Sequence, residues 1–429
     1  MTEEIKQRIE TIKAGKVPVG YKKTQFGVFP DDWVTDKTLG DIFLFYGGLG
    51  ISREQLGSKG IAYLHYGDMH KGTFKKVAYE QYSLLPKYDI QLDGNETFLM
   101  KDGDVVFLDA SEDLEGTSRS VLVDNPDNNF FIAGLHTTLG KSKDDFLDKW
   151  YKQYITTTDA VKKQFQELAV GFKVYGVNRK EITKIIIPCP RKKDEQNRIA
   201  EILSKWDRAI ELQEKMIEKL ELQKKALMQK LLTPKEGWKK VKLGELAFMQ
   251  SGGTPKSTVE EYYNGNIIWV SINDISSCGK YLSNSERKIT EKGLKNSSAR
   301  LFPKGTILYA MYASIGKCCI ATAECSTSQA ILGIMTNEKL VSEYLYYFLL
   351  HHQERILAQG QKGTQSNLNK EMVQNIIVDL PETIDKQISL VKILNCFDRY
   401  IDSHIEKLAT LKRQQKSIQQ LLLTGIVRV

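Results

Sequence analysis

No run of apolar residues in this chain approaches the roughly 18 needed to cross a bilayer as a helix, which excludes a helical membrane span. The opening stretch "MTEEIKQRIETIKAGK" has a helical pattern and an acidic start, with no apolar centre and no small-residue cleavage site, so a secretory signal is not expected and the cytoplasm is. Cysteine is sparse. Cys189, Cys278, Cys318, Cys319, Cys325 and Cys396 form no CxxC pair and match no zinc spacing, so free thiols are expected and a metal site is not. The charge excess is small: 61 basic against 53 acidic residues, a net +8. That balance permits nucleic-acid binding but requires it only if basic residues cluster.

Catalytic signatures are missing as well. An enzyme methylating an exocyclic DNA amine should carry an Asn-Pro-Pro-aromatic run, and none is present. "YGGLGISRE" lacks the strand–GxGxxG–helix context of a dinucleotide site and reads as a turn. "AGLHTTLGKS" (133–142) is a near miss to a phosphate-binding loop. Five residues separate Gly134 from Gly140 where the amide cradle requires four. "ERK" at 286–288 has nuclease-like spacing without an upstream Pro-Asp partner. His351 and His352 are adjacent on an expected helix and point about 100° apart, so one should face the core and the other water. No catalytic, cofactor-binding or metal-ligating residue is expected.

What the chain does have is a repeat. "DRAIELQEKMIEKLELQKKALMQKLLT" (207–233) and "DRYIDSHIEKLATLKRQQKSIQQLLLT" (398–424) are both 27 residues long and lie 191 residues apart. At the same offset Asn178 matches Asn369, Pro190 matches Pro381, Asp194 matches Asp385 and Gln196 matches Gln387. Upstream, with a drifting offset, "LGDI" faces "LGEL", "IAYLHYGDM" faces "IIWVSINDI", and "GDVVFLDA" faces "GTILYAM". Self-similarity of this kind marks one fold used twice, with different surfaces.

Stepping 4, 3, 4, 3 through the two long segments gives apolar seams. Ile210, Ile217, Leu220 and Leu227 lie on the first, and Ile401, Leu408, Leu411 and Ile418 on the second. Both seams break at the same places, Gln213/His404 and Lys224/Gln415, so the two helices share a packing task. Asp194 and Asp385 are the expected N-caps, with Pro234 and Gly425 as stops. Such a helix cannot bury its stripe alone, so the two are expected to pair antiparallel, with Ile210, Leu220, Ile401 and Leu411 buried between them. Strands are expected near 61–66, 105–108, 185–187, 267–271, 307–310 and 376–380. Helices are expected over "DDFLDKWYKQYITTTDAVKKQFQELA" and "SEYLYYFLLHHQERILAQ". The expected fold is therefore α+β: two repeated globular heads joined by two long antiparallel coiled-coil helices about a pseudo-two-fold axis. Its expected divisions are an N-terminal segment 1–29, a first head 30–190, a central spacer helix 191–233, a second head 234–381 and a C-terminal spacer helix 382–429.

With these features in place, the chain resembles the specificity subunits of type I restriction–modification systems over nearly its whole length. The residues carrying the resemblance are the two "D-R-x-I…L-L-T" helices, "IPCPRKKDEQNRIAEIL", "GWKKVKLGELAFMQSGGTPKS", "GTQSNLNKEMVQNIIVDLP" and "GYKKTQFGVFPDDW". The resemblance implies two target recognition domains, each reading half of a split, asymmetric site in double-stranded DNA. It implies that the helices dock two modification subunits, which hold S-adenosylmethionine and methylate adenine. Restriction subunits then supply ATP- and Mg-dependent translocation and cleavage, and this chain binds no cofactor itself. One departure is visible: "GFKVYGVN" stands in the first half where "GTQSNLN" stands in the second, so a role of 364–367 does not transfer. Polar and basic loop residues are the candidate DNA contacts: Arg53, Lys59, Lys71, Lys75, Arg119, Lys256, Ser257, Lys317, Gln365 and Asn367. The competing reading, a structural coiled-coil adaptor without DNA contact, explains the helices but not two large unequal heads.

Overall fold

A computed structural model describes residues 2–71, 76–78, 84–360 and 368–429. The chain divides into two compact units, Met1–Leu212 with Leu408–Val429, and Gln213–Lys407. Each unit is an α+β head together with portions of both long helices, which span Lys193–Leu232 and Ile384–Leu423, 40 residues apiece. Among the described residues, no helix is long and apolar enough to cross a membrane.

The head of the first unit holds a five-stranded sheet in the order Phe43–Gly47, Thr137–Ser142, Val105–Leu108, Ser120–Asp124, Lys76–Ala78. The second unit repeats that order with Ala247–Ser251, Ile331–Thr336, Ile307–Ala310, Cys318–Ala321, Tyr281–Leu282. In both, the last strand joins in parallel and the others antiparallel. Three-stranded sheets also correspond. Ile61–Leu64 pairs in parallel with Phe131–Ala133 and antiparallel with Lys87–Tyr88. Tyr263–Val270 pairs in parallel with Ser326–Thr327 and antiparallel with Arg287–Ile289. In these two sheets the repeat read from the sequence is thus a repeat of topology, strand for strand.

The heads seal their cores in the same way. "LGDI" and "LGEL" each fold into a single helical turn that buries Leu39 and Ile42, or Leu243 and Leu246. Asn178 and Asn369 each cap a short helix, accepting from the amides of Lys180 and Met372. Gln196 and Gln387 are buried at the start of each long helix and clamp it to its own head. Gln196 Oε1 accepts from the Asp148 amide at 2.7 Å while its Nε2 donates to Pro190 O at 2.8 Å. Gln387 Oε1 accepts from the Val341 amide at 2.9 Å while its Nε2 donates to Lys339 O at 3.0 Å. A buried amide with both ends satisfied fixes direction as well as position.

Several expectations need correction. Asp194 and Asp385 are not the N-caps, because the helices begin at Lys193 and Ile384. They sit in the first turn, where a carboxylate favours the helix dipole, and Thr383 Oγ1 accepts from the Lys386 amide instead. The segment 144–169 is not one helix. Tyr151–Tyr154 is a 3-10 turn, and the α-helix Asp159–Leu168 starts only after Thr158, whose hydroxyl accepts from the Val161 amide. The run Thr156–Thr158 favours caps over a helix interior. The segment from Ser342 breaks at His352 into Ser342–His351 and Gln353–Gly360. His351 and His352 do not divide between core and water. Both are half-buried with ring centroids 4.7 Å apart. Residues 185–187 make only a bridge, Thr38 with Ile186, rather than a strand.

On the long helices, Ile210, Leu220 and Ile401 are buried, while Ile217, Leu227, Leu408 and Ile418 are half-buried. Leu411, expected to be buried, is half-buried too. Its seam position flanks the polar break at Gln415, where packing gives way to hydrogen bonding. The seam breaks have partners. In the second unit Gln213 Nε2 donates to His404 O at 2.9 Å, and Lys224 Nζ meets Asp398 Oδ1 at 2.6 Å. In the first unit Gln415 Nε2 donates to Asp207 Oδ1. Asp207 and Asp398 open the two repeated 27-residue segments, and each also accepts from a tyrosine of its own head. Tyr154 Oη lies 2.6 Å from Asp207 Oδ2, and Tyr347 Oη lies 2.5 Å from Asp398 Oδ2. The coincident breaks read from the sequence are therefore a recurring polar joint of head tyrosine, helix aspartate and a side chain of the other helix.

Candidate nucleic-acid interface

In the first unit, four segments meet: the stretch after Phe43–Gly47, residues 64–70 with the start of the helix Tyr66–Lys71, the long connection from Asp109 to Arg119, and the link 134–136 before Thr137–Ser142. They enclose a cleft of about 670 Å³ lined by Ser52, Arg53, His65, Tyr66, Gly67, His70, Glu112, Asp113, Arg119, Leu135 and His136. Arg53 and Arg119, 66 positions apart in the chain, are thereby brought to one site. Arg53 is exposed and held by Asp68, Nη2 to Oδ1 at 2.7 Å. Arg119 Nη1 donates to His70 O at 2.9 Å and lies 3.4 Å from His70 Nδ1. Each guanidinium is thus fixed by only part of its donor fork, a geometry suited to planar acceptors on a ligand.

Aromatic rings line the same cleft. His65 lies tilted against Tyr66 with ring centroids 4.5 Å apart, and the Tyr66 ring meets His136 edge-on at 5.3 Å and His70 at 6.1 Å. His136 is exposed, adopts a positive φ of 57°, and points Nδ1 at Asp109 Oδ1, 3.5 Å away. A non-glycine residue in that region is strained, and such strain concentrates at ligand sites. Burial lowers the His65 pKa, helped by Arg53. Burial raises that of Asp109 despite His136 and Arg179. The segment 133–142 that nearly matched a phosphate loop does something else here. Thr137 Oγ1 donates to Gly134 O at 2.6 Å and closes a turn, and the chain runs straight into the strand Thr137–Ser142, second in the sheet order.

The second head places its candidates on two loops. Lys256 and Ser257 are exposed in the loop after Ala247–Ser251, and Lys317 is exposed at the end of the connection Met311–Lys317. Lys317 immediately precedes Cys318–Ala321 as Arg119 immediately precedes Ser120–Asp124, and those strands hold the same place in the sheet order. The connection carries Ala313 and Ser314 at φ 32° and 37° and an exposed Tyr312. Ser276 Oγ donates to Ser314 Oγ at 2.9 Å, tying the loop to the neighbouring turn.

Of the remaining candidates, Lys59 is exposed on the turn leading into Ile61–Leu64, away from the cleft lining. Lys71 ends the helix Tyr66–Lys71. Lys75, Gln365 and Asn367 lie outside the described residues. Sequence reasoning missed His65, Tyr66, His70 and His136. The spacing of His65 and His70 around an aromatic residue, inside and just beyond the segment matched to "IIWVSINDI", was the available signal.

Comparison with known proteins places this architecture. The family model described as type I restriction modification DNA specificity domain matches twice, over residues 30–222 and 235–413. The chain belongs to the type I restriction–modification specificity family. It is 31% identical over 193 residues to the type I restriction enzyme MjaIX specificity subunit of Methanocaldococcus jannaschii, a match covering 44% of this chain and 43% of that one. It is 23% identical over 431 residues to a protein of the same organism provisionally named the type I restriction enzyme MjaX specificity subunit, covering 95% and 97%. The crystal structure of the type I restriction–modification S subunit from M. genitalium superposes with a TM-score of 0.54 at 17% identity, covering 91% of this chain and 96% of that one. A chain solved in work on complex assembly and conformational transition of the type I R-M system reaches 0.60 at 17%, covering 96% and 100%. At these identities the structures speak for the fold.

Proposed function

We propose that this chain is the DNA sequence-recognition subunit of a type I restriction–modification assembly, reading a split and asymmetric site while itself catalysing nothing. The observation that carries the reading is the pair Arg119 and Lys317. A cation stands at the same topological place in two copies of one sheet, and everything around it differs between the copies. A shared cation suits backbone phosphate, which is the same everywhere, and the divergent surroundings suit base edges, which are not. Arg53, Lys59, Lys71, Lys75, Lys256, Ser257, Gln365 and Asn367 complete the proposed contact set.

The two long helices act as the spacer, paired antiparallel as a coiled coil about a pseudo-two-fold axis between heads at 30–190 and 234–381. Support comes from the pairs Gln213–His404, Lys224–Asp398 and Asp207–Gln415, whose numbers rise on one helix as they fall on the other. The helices also dock two modification subunits, and restriction subunits join the assembly. Leu212, Met216, Leu222, Ile393, Tyr400 and Ile405 are exposed apolar residues on these helices, fit for such docking. S-adenosylmethionine, ATP and Mg belong to those partners, which act in the cytoplasm.

The test is methylation mapping of cells with and without the gene, beside assays of the purified chain. The gene should be required for one bipartite methylated motif. The contaminant-free chain should turn over neither S-adenosylmethionine nor ATP, and turnover of either would falsify the non-catalytic part.

A further inference from the structure

Beside the cleft of the first head stands a short projecting hairpin, the segment "AVGFKVYG" at 169–176. Val170 and Gly176 exchange both backbone hydrogen bonds at 2.9 Å, closing a tight loop. Gly171 has φ 148°, and a Cβ there would lie 1.9 Å from Val174 O, so only glycine allows the turn. The tip is apolar and bare: Val170 is 79% exposed, Phe172 92% and Val174 55%. Three apolar residues alternating on one exposed tip stay in water and gain none of the free energy that burial would return, which marks a surface fit for a partner.

The hairpin's root identifies that partner. Tyr175–Gly176 pairs with Ala110–Ser111, and the Val177 amide donates to Asp109 O at 3.1 Å. Asp109 is the residue that faces His136, and Ala110–Ser111 begins the connection that ends at Arg119. Hairpin and cleft therefore hang from one strand end, with a basic Lys173 at the tip beside Phe172.

We propose that this hairpin is an apolar wedge that inserts Phe172, flanked by Val170 and Val174, between base pairs at the edge of the sequence read by the cleft. Exposed apolar side chains pushed between base steps, next to arginines in a groove, unstack and bend duplex DNA so that more of it meets the protein. The second head carries "GTQSNLN" where the first has "GFKVYGVN", with no aromatic residue, so the wedge belongs to one half-site alone. The inference rests on the DNA-recognition reading above.

The test uses the full chain assembled with its modification subunits and a duplex carrying the motif mapped in cells. 2-Aminopurine is placed in turn at each position of both half-sites. Apart from the target adenines, which the modification subunits flip out in both half-sites, binding should raise fluorescence at one further step, in the half-site of the first head. Phe172→Ala should abolish that rise and weaken binding about tenfold or more, the range of one base–aromatic stack. Phe172→Trp should preserve both, and the salt slope should not change because no phosphate contact is lost. Phe172 is exposed, so an unaltered melting temperature should certify the fold. If the complex binds but no step brightens beyond the flipped adenines, or Phe172→Ala binds and brightens like the wild type at that further step, the wedge is overturned while DNA recognition stands. If Phe172→Ala instead prevents assembly with the modification subunits, the hairpin is a protein dock and the wedge is equally overturned. If the wild-type complex binds no duplex specifically, the underlying reading falls with it.

Discussion

The two heads share a strand order and differ at places where a single residue decides the chemistry. Asp104 and Thr306 occupy the same turn at the start of the same strand, after Gly103 and Gly305. Asp104 Oδ2 accepts from the Lys101 amide at 2.8 Å, and Thr306 Oγ1 donates to Pro303 O at 2.7 Å. Both are buried, but one buries a carboxyl, whose pKa burial pushes up to about 6 against the pull of Lys101, Lys141 and Lys152. The joint to the helices differs in the same manner. Asp398 meets the charged Lys224, and Asp207 the neutral Gln415. In the second unit that joint grows into a network: Lys280 Nζ reaches Tyr347 Oη at 3.2 Å and Glu343 Oε1 at 3.3 Å, with Asn395 also in reach. The lesson is that topology and the position of each polar joint are kept while the charge at the joint is free to vary.

The largest expected effect breaks the helix pairing common to both units. Leu220→Asp places an unpaired charge at a buried seam position and should cost about 3–5 kcal/mol, read by denaturant unfolding. Leu411→Asp, at the equivalent but half-buried position of the repeated helix, should cost less. Equal melting temperatures for wild type and Leu220→Asp would remove the pairing from the account.

The next prediction sharpens the contrast at Asp104. Its carboxyl is harder to ionise in the folded head than in the unfolded chain, so folding holds the proton more tightly. The contribution of Asp104 to stability should be fully present below about pH 4, decline as pH rises through the interval from about 4 to 6, and level off above it, a loss of about 3 kcal/mol in all. Asp104→Thr, which copies the second head, should flatten this decline. A chain whose stability rises over that interval because of Asp104, or an unchanged profile in the variant, contradicts the assignment.

At the joints, Lys224→Gln copies the first unit into the second and should cost about 1 kcal/mol or less, since a hydrogen bond to Asp398 survives. Lys224→Ala leaves Asp398 with Tyr347 alone on a largely covered carboxylate and should cost about 1–3 kcal/mol. A melting series of the two variants decides the order. The smallest expected effect concerns Lys256→Ala in the assembled complex. It should reduce the salt dependence of DNA binding by about one unit of slope, equally on all sequences.

Much of the architecture was legible because it repeats. The seam of Ile210 and Ile401, the coincident breaks at Gln213/His404 and Lys224/Gln415, and the match of Gln196 with Gln387 are periodic or duplicated signals, and each has a physical counterpart in the structure. The pairing of Tyr154 with Asp207 was not legible, because it joins residues 53 apart through a turn that the helical pattern of 144–169 concealed. The cleft was less legible still. Arg53 and Arg119 were named singly, but His65, His70 and His136 reach it from loops whose meeting no local pattern encodes. His136 lay inside a stretch read only for its failure to bind phosphate.

On the function proposed above, each head reads its own half-site and the long helices set the gap between the half-sites. Inserting one heptad after both Ile217 and Leu408 should lengthen the unread gap by roughly three base pairs and leave both half-sites intact. The most direct measurement is the methylated motif after residues 234–381 are replaced by the second head of another family member. The account predicts that one half of a split, asymmetric motif changes and the other stays as it was. A continuous palindromic motif, or a replacement that alters both halves, would contradict it.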